Sequence, residues 1–259
     1  MGTRVPNKLP AKRRRRWLLL GWVAYQRTDK MKSPLASVIK SLDIIPAYRD
    51  DHVALIHGDC RDLLPRISDT NRVVIVSDPP YGIKWVHSSN PRPIVGDDKP
   101  FDPSHLLRFK CVLFGGQHYH TSLPAKGSWL IWDKRCPHAG GRKACNVGPC
   151  HTNDIGDYED IWCSFHTHRT IYRHYWNGGG KASERGSKRI HPTQKPVLLM
   201  LWLISEFTEP GDLVIDPYCG SCSTLLAARA MGRHAIGFEI DKQYISPACD
   251  RLRGVANEA

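Results

Sequence analysis

The chain has 259 residues, 41% of them hydrophobic and 24% charged, with eight Trp. That is enough to bury a sizeable core without disulfides or metals, so a stapled mini-protein, a disordered chain and a collagenous one are all excluded. Its 37 Lys and Arg against 25 Asp and Glu leave a net charge of +12, which points to a polyanionic partner, nucleic acid before an acidic membrane surface.

The charge is unevenly placed. Residues 1–30 hold nine basic side chains and one acid, a net +8. A basic run from Lys12 leads into the apolar stretch from Trp17 to Tyr25, which resembles a signal-peptide start. The stretch is short, lacks a small-residue cleavage site, and falls below the ~20 apolar residues that a membrane span needs. Residues 1–50 are therefore expected to form a basic, flexible arm, and residues 51–259 the folded domain. The nine cysteines are odd in number and scattered from Cys60 to Cys249, which favours reduced thiols and a cytoplasmic location.

From Asp51 onward, short apolar runs alternate with helical segments, as in an α/β sheet. Strands are expected over 53–57, 73–77, 111–114, 128–132, 161–164, 213–216 and 235–239. Most are apolar on both parities, as when helices cover both faces. The second strand leads into Asp78-Pro79-Pro80-Tyr81-Gly82. Each proline fixes its own φ and biases its predecessor toward extended backbone, so this turn is stiff. The Asp78 carboxylate and the Pro79 carbonyl suit the two hydrogens of a planar amine, and Tyr81 offers a face for stacking. Residues 84–103, starting at Lys84, follow directly and are suited to folding over a bound base.

Cys136, His138, Cys145, Cys150 and His151 are metal-ligand types in a Gly-rich loop, but without closely spaced Cys-x-x-Cys hooks, so no metal is expected there. From 165 to 195 there are seven basic residues and one acid, interleaved with Tyr172, Tyr175 and Trp176. The 165–190 part of this loop, with Arg169, Arg173, Lys188 and Arg189, is expected to grip phosphates and stack on displaced bases. A helix is expected over 196–207, stopped by Pro210-Gly211. A strand ending in Asp216, a Gly-bearing turn, a helix over 224–231 and a strand ending in Glu239 then follow, the layout of a nucleoside-cofactor site.

Asp78-Pro-Pro-Tyr81, His191-Pro-Thr-Gln-Lys-Pro196, Asp216-Pro-Tyr-Cys-Gly-Ser221 and Gly237-Phe-Glu-Ile-Asp241, in this order, resemble the S-adenosylmethionine-dependent DNA amino-methyltransferases of the β-ordered group, including short phage and prophage modification enzymes. The resemblance spans about residues 53–253. It implies a doubly wound, mostly parallel, seven-stranded Rossmann-like methyltransferase sheet with an antiparallel edge strand. It implies that Asp78, Pro79, Pro80 and Tyr81 are catalytic. Asp216, Tyr218, Gly220 and Ser221 would meet the methionine part and ribose of the cofactor, and Glu239 the ribose hydroxyls. His191, Thr193 and Lys195 would close over the methionine end, with Lys195 neutralising its carboxylate, and Asp59 would lie near the adenine. The implied reaction is methylation of adenine N6 in double-stranded DNA, with cytosine N4, an RNA or protein amide, or an inactive nucleic-acid-binding relative as alternatives. A homodimer and a restriction partner are compatible with the pattern. Where the family reads Gly-Ser-Gly, this chain reads Gly220-Ser221-Cys222, so strain in the turn or crowding of the cofactor is expected.

Overall fold

The computed structural model describes residues 34–68, 72–86, 92–135, 156–165, 170–177 and 180–254. In chain order the elements are α1 (Pro34–Leu42), β1 (Tyr48–Arg49), β2 (Val53–His57), α2 (Cys60–Leu63), β3 (Val73–Ser77), β4 (Lys110–Phe114), β5 (Ser128–Asp133), β6 (Tyr158–Cys163), β7 (Ile171–Arg173), β8 (Trp176–Asn177), β9 (Gly180–Lys181), α3 (Val197–Phe207), β10 (Leu213–Asp216), α4 (Ser223–Ala230), β11 (His234–Glu239) and α5 (Lys242–Arg253).

Nine of these strands form one sheet, in the order β1-β2-β11-β10-β3-β4-β6-β5-β7. The five strands from β2 to β4 are mutually parallel. Their two residue parities feed two separate cores. Val53, Leu55, Val74, Val76, Val112, Phe114 and Val214 pack with Leu199, Leu203 and Leu225 of α3 and α4. Ala54, Ile56, Ile75, Leu113, Ile215 and Phe238 pack with Leu35, Ile39 and Leu42 of α1. Burial on both faces explains why these strands are continuous apolar runs.

The seven expected strands are present, and the sheet has two more at its edges. β1 pairs antiparallel with β2, and β7 runs parallel to β5. An antiparallel strand thus lies at one edge, as expected, and a second one, β6, is internal, between β4 and β5. The folded part also begins earlier than residue 51: α1 buries Leu35, Ile39 and Leu42 in the core, and β1 extends the sheet. Of the expected arm, residues 1–33 lie outside the described residues, as does the 136–151 cysteine and histidine cluster.

β10 connects through α4 to β11 on one side, whereas β3 leads on to β4 on the other, so the winding reverses between β10 and β3. A crevice opens at the carboxyl ends of the strands at such a reversal. The chain places Asp78, Asp216, Glu239 and Asp59 at or just after the carboxyl ends of β3, β10, β11 and β2.

Candidate active site

The Asp78-Pro79-Pro80-Tyr81 turn is anchored from three directions. Tyr81 donates its hydroxyl hydrogen to Asp78 Oδ1, and the Lys195 ammonium lies 2.5 Å from Oδ2. The Tyr81 ring packs on Gly115, whose backbone is left-handed at φ 67°; any side chain at Gly115 would run into the ring. One face of Tyr81 is covered by His118, stacked at 5.0 Å, in the kind of place the sequence reading assigns to a target base. Behind the turn, the buried Asp97 carboxylate accepts hydrogen bonds from the Gly82, Ile83 and Trp85 amides at 2.7, 3.3 and 2.6 Å.

Across the crevice, the buried Glu239 carboxylate accepts from the Gly220 amide at 2.9 Å and the Asp241 amide at 2.7 Å. Burial pushes its carboxyl up to about 7 against the pull of those two donors. Asp216 accepts from the Ser77 and Thr224 hydroxyls, both at 2.5 Å, and from the Tyr218 amide, so it ties β3, β10 and α4 together. Burial raises it to about 6. The turn between them reaches β11 closely: Cys219 donates to the Phe238 carbonyl, and Gly237 leaves the room, since a Cβ there would meet the Cys219 sulfur at 2.8 Å. Ser223 donates to the Lys195 carbonyl at 2.6 Å, joining this turn to the His191–Lys195 segment. His191 packs edge-on against Tyr244, and burial holds it down at about 4, hence neutral at physiological pH.

The sequence profile of a DNA methylase family matches residues 137–249. The Type II methyltransferase M2.DpnII of Streptococcus pneumoniae is 26% identical over 249 residues, covering 80% of this chain and 92% of that protein. The Type II methyltransferase M2.LlaDCHI of Lactococcus lactis subsp. cremoris is 26% identical over 256 residues, covering 80% and 91%. The chain is an S-adenosylmethionine-dependent DNA methyltransferase. The methyltransferase also shares the fold of the PvuII DNA methyltransferase (cytosine-N4-specific), with a TM-score of 0.52 at 16% identity over 83% of this chain and 90% of that one.

The residues of the methyltransferase fit its cofactor. A cavity of about 1120 Å³ runs from Asp59 and Glu239 past His191 and Thr193 to Asp78 and Pro79, with apolar walls that include Phe101 and Ile240. A smaller pocket of about 30 Å³ adjoins it, and His191, Thr193, Lys195, Asp216, Tyr218, Gly220 and Ser221 meet around it. The two together gather every residue that the resemblance assigns to the cofactor. Asp59 just after the carboxyl end of β2 and Glu239 at that of β11 match hydroxyl and amine donors, and most residues around the smaller pocket are polar. Bound there, S-adenosylmethionine supplies an electrophilic methyl group.

Three of the residues assigned to the cofactor or to DNA are held in ion pairs within the methyltransferase. The Lys195 ammonium faces Asp78 and Glu159. Asp59 caps α2 and pairs with Arg61 at 2.6 Å. The Arg173 guanidinium is held by Asp133 at 2.8 Å. Lys84 and Lys188 are exposed, and Arg189 lies over the Trp176 ring at 5.4 Å on the cavity wall. Arg169 lies outside the described residues. Sequence reasoning missed Asp97, His118, Glu159, Lys134 and Arg92; the last clips the loop after the catalytic turn to Asp241 at 2.6 Å. None belongs to a recognisable short motif, and each becomes visible only through a partner distant in the chain.

Proposed function

We propose that this methyltransferase moves the methyl group of S-adenosylmethionine to the N6 amine of an adenine flipped out of double-stranded DNA at a short recognition sequence. The observation that carries this reading is the Asp78-Pro79 pair at the end of β3, facing the same cavity as Glu239. An amine whose two hydrogens are taken by the Asp78 carboxylate and the Pro79 carbonyl turns its lone pair out of the ring, so that positioning supplies much of the acceleration. The amine attacks the methyl directly, and no cysteine nucleophile is needed. Burial, outweighing Lys195, holds the Asp78 carboxyl above the usual carboxylate range, which suits it to take the proton that the methylated nitrogen sheds. Flipping the base costs a few kcal/mol. Lys84, Lys188 and Arg189 would offset part of this through phosphate contacts. The two Type II relatives support a role in restriction and modification, and the enzyme would work in the cytoplasm beside the DNA it modifies. No helix among the described residues is long and apolar enough to cross a membrane.

Methyl-labelled S-adenosylmethionine and genomic DNA from a methylation-deficient bacterium, followed by nucleoside mass spectrometry, test the reading. N6-methyldeoxyadenosine is expected. Label in N4-methyldeoxycytidine would overturn the choice of base, and the absence of label would overturn the activity. Asp78→Ala is expected to slow transfer by about a hundredfold or more while cofactor affinity stays within about threefold; equal turnover would remove Asp78 from the chemistry.

A further inference from the structure

Behind the catalytic turn lies a chain of alternating charge, its two lysines buried and its two carboxylates partly so. Lys134 Nζ is 2.8 Å from Glu159 Oε1, Glu159 Oε2 is 3.2 Å from Lys195 Nζ, and Lys195 Nζ is 2.5 Å from Asp78 Oδ2. Lys134 stands on the residue after β5, Glu159 on β6 and Lys195 just ahead of α3, so three distant segments converge on Asp78. All four residues line the large cavity. Both Asp78 oxygens are engaged, one by Tyr81 and one by Lys195. A target amine can use this carboxylate fully only when a competing donor gives way.

We propose that Glu159 is a positioning residue for methyl transfer, the standing counter-ion that holds the Lys195 ammonium in place while Asp78 turns to the target amine. An unpaired buried ammonium would be costly, so Lys195 stays charged and fixed only while a carboxylate faces it. As the N–C bond forms and the S–C pair stays on sulfur, the nitrogen carries one proton too many. That proton passes to Asp78, whose charge is lost, and Glu159 alone then balances Lys195. The two carboxyls are tuned for this division. Burial raises Asp78, whereas at Glu159 the same burial is outweighed by Lys195 and Lys134, which hold it below its ordinary range. At Lys195, burial is outweighed by the two carboxylates, and the ammonium is held charged. The Tyr81 hydroxyl also acts on Asp78 through its hydrogen bond, and the Asp78 charge is felt in turn at Tyr119 and Asp216. These groups are the same in every variant below.

The inference rests on the proposed methyl transfer, so the wild-type enzyme is first shown to label DNA from the methylation-deficient bacterium; without label, the functional reading fails before this one is reached. Glu159→Gln is then compared at saturating cofactor and DNA. The rate is expected to fall at least about tenfold with cofactor affinity unchanged. The Glu159 charge raises Asp78, so its removal lowers Asp78, and the acidic limb of the pH–rate profile is expected to move down by about one pH unit. Glu159→Asp is expected to recover most of the rate. An unchanged rate and limb in Glu159→Gln would overturn the assignment, as would a rate loss matched by lost cofactor affinity. Should Glu159→Gln not fold, the same readouts on Glu159→Asp decide: its shorter carboxylate must slow the rate and shift the limb in the same direction, and wild-type values would overturn the proposal.

Discussion

Cys222 stands where the family resemblance implies glycine, and its backbone is left-handed, at φ 62° and ψ 29°. A residue with a Cβ pays about 1–2 kcal/mol there. The side chain is fully buried in the core under α4, its sulfur 3.5 Å from that of Cys219, and it lines neither cavity. The expected strain is therefore present, and the expected crowding of the cofactor is not. Because the turn already holds this conformation, the strain weighs on folding stability rather than on cofactor affinity. Cys222→Gly and Cys222→Ala both lose the buried sulfur, but only the first relieves φ, so the glycine variant is expected to be more stable than the alanine variant by about 1 kcal/mol. Cofactor affinity of both should stay within about threefold of wild type. Denaturant melts and cofactor titrations read the two quantities; an alanine variant as stable as the glycine one would remove the strain argument. At this scale, what the sequence disclosed was the residues with motif neighbours, such as Asp78 and Glu239. Glu159 sits in Tyr158-Glu-Asp-Ile161, which reads as the polar start of a strand, and only the pairing of β6 with β5 brings it to Lys134.

The central strands were legible because burial on both faces writes itself as an apolar run at every position. β1, β7, β8 and β9 have two or three residues each, too few for any period to show; β1 and β7 exist because longer neighbours offer them hydrogen bonds, and β8 and β9 pair with each other. The connection after β3 was legible as a loop, but not as a clamped one. Asp97, fifteen residues beyond Gly82, gathers three amides into one carboxylate and returns its own carbonyl to the Lys84 amide at 2.9 Å. That clamp fixes the backbone immediately after Tyr81. Asn at position 97 would turn an NH2 toward an amide donor, at a cost of about 1–3 kcal/mol for the donors left unpaired. Asp97→Asn is therefore expected to loosen the catalytic turn and lower the methylation rate about tenfold, with a smaller loss of cofactor affinity. Single-turnover rates and cofactor titrations on the variant check this, and a full rate would show that the turn keeps its shape without this clamp. Glu184, the acid within the basic 165–195 loop, acts similarly: it accepts the Val197 amide at the start of α3 and the Arg251 guanidinium of α5, so the loop is pinned to two helices.

For the whole molecule, the net +12 separates into parts with different physical meaning. Residues 1–30 carry +8 and residues 165–195 carry +6, so the rest of the chain is slightly acidic. Within the fold, several cations are spent internally: Lys134 and Lys195 on Glu159 and Asp78, Arg135 and Arg173 on Asp133, and Arg251 on Glu184. Charges already balanced release few counterions when DNA binds, and since Arg173 and Lys195 belong to the second basic region, that region counts for less than its sum. The N-terminal segment, with nine basic side chains against one acid, is then expected to supply most of the sequence-independent attraction. It lies outside the stretch that carries the methyltransferase motifs, and among the described residues the cavity is lined from residue 58 onward. Deleting residues 1–30 is therefore expected to weaken binding to DNA and to make the plot of log affinity against log salt visibly shallower, while turnover at saturating DNA stays within about twofold. Binding isotherms between 50 and 200 mM salt resolve the slope, since each phosphate contact contributes about 0.9 to it. A truncation that keeps the wild-type slope would move the attraction back to the 165–195 region, and one that folds but loses turnover would place part of the catalytic machinery in the segment before α1.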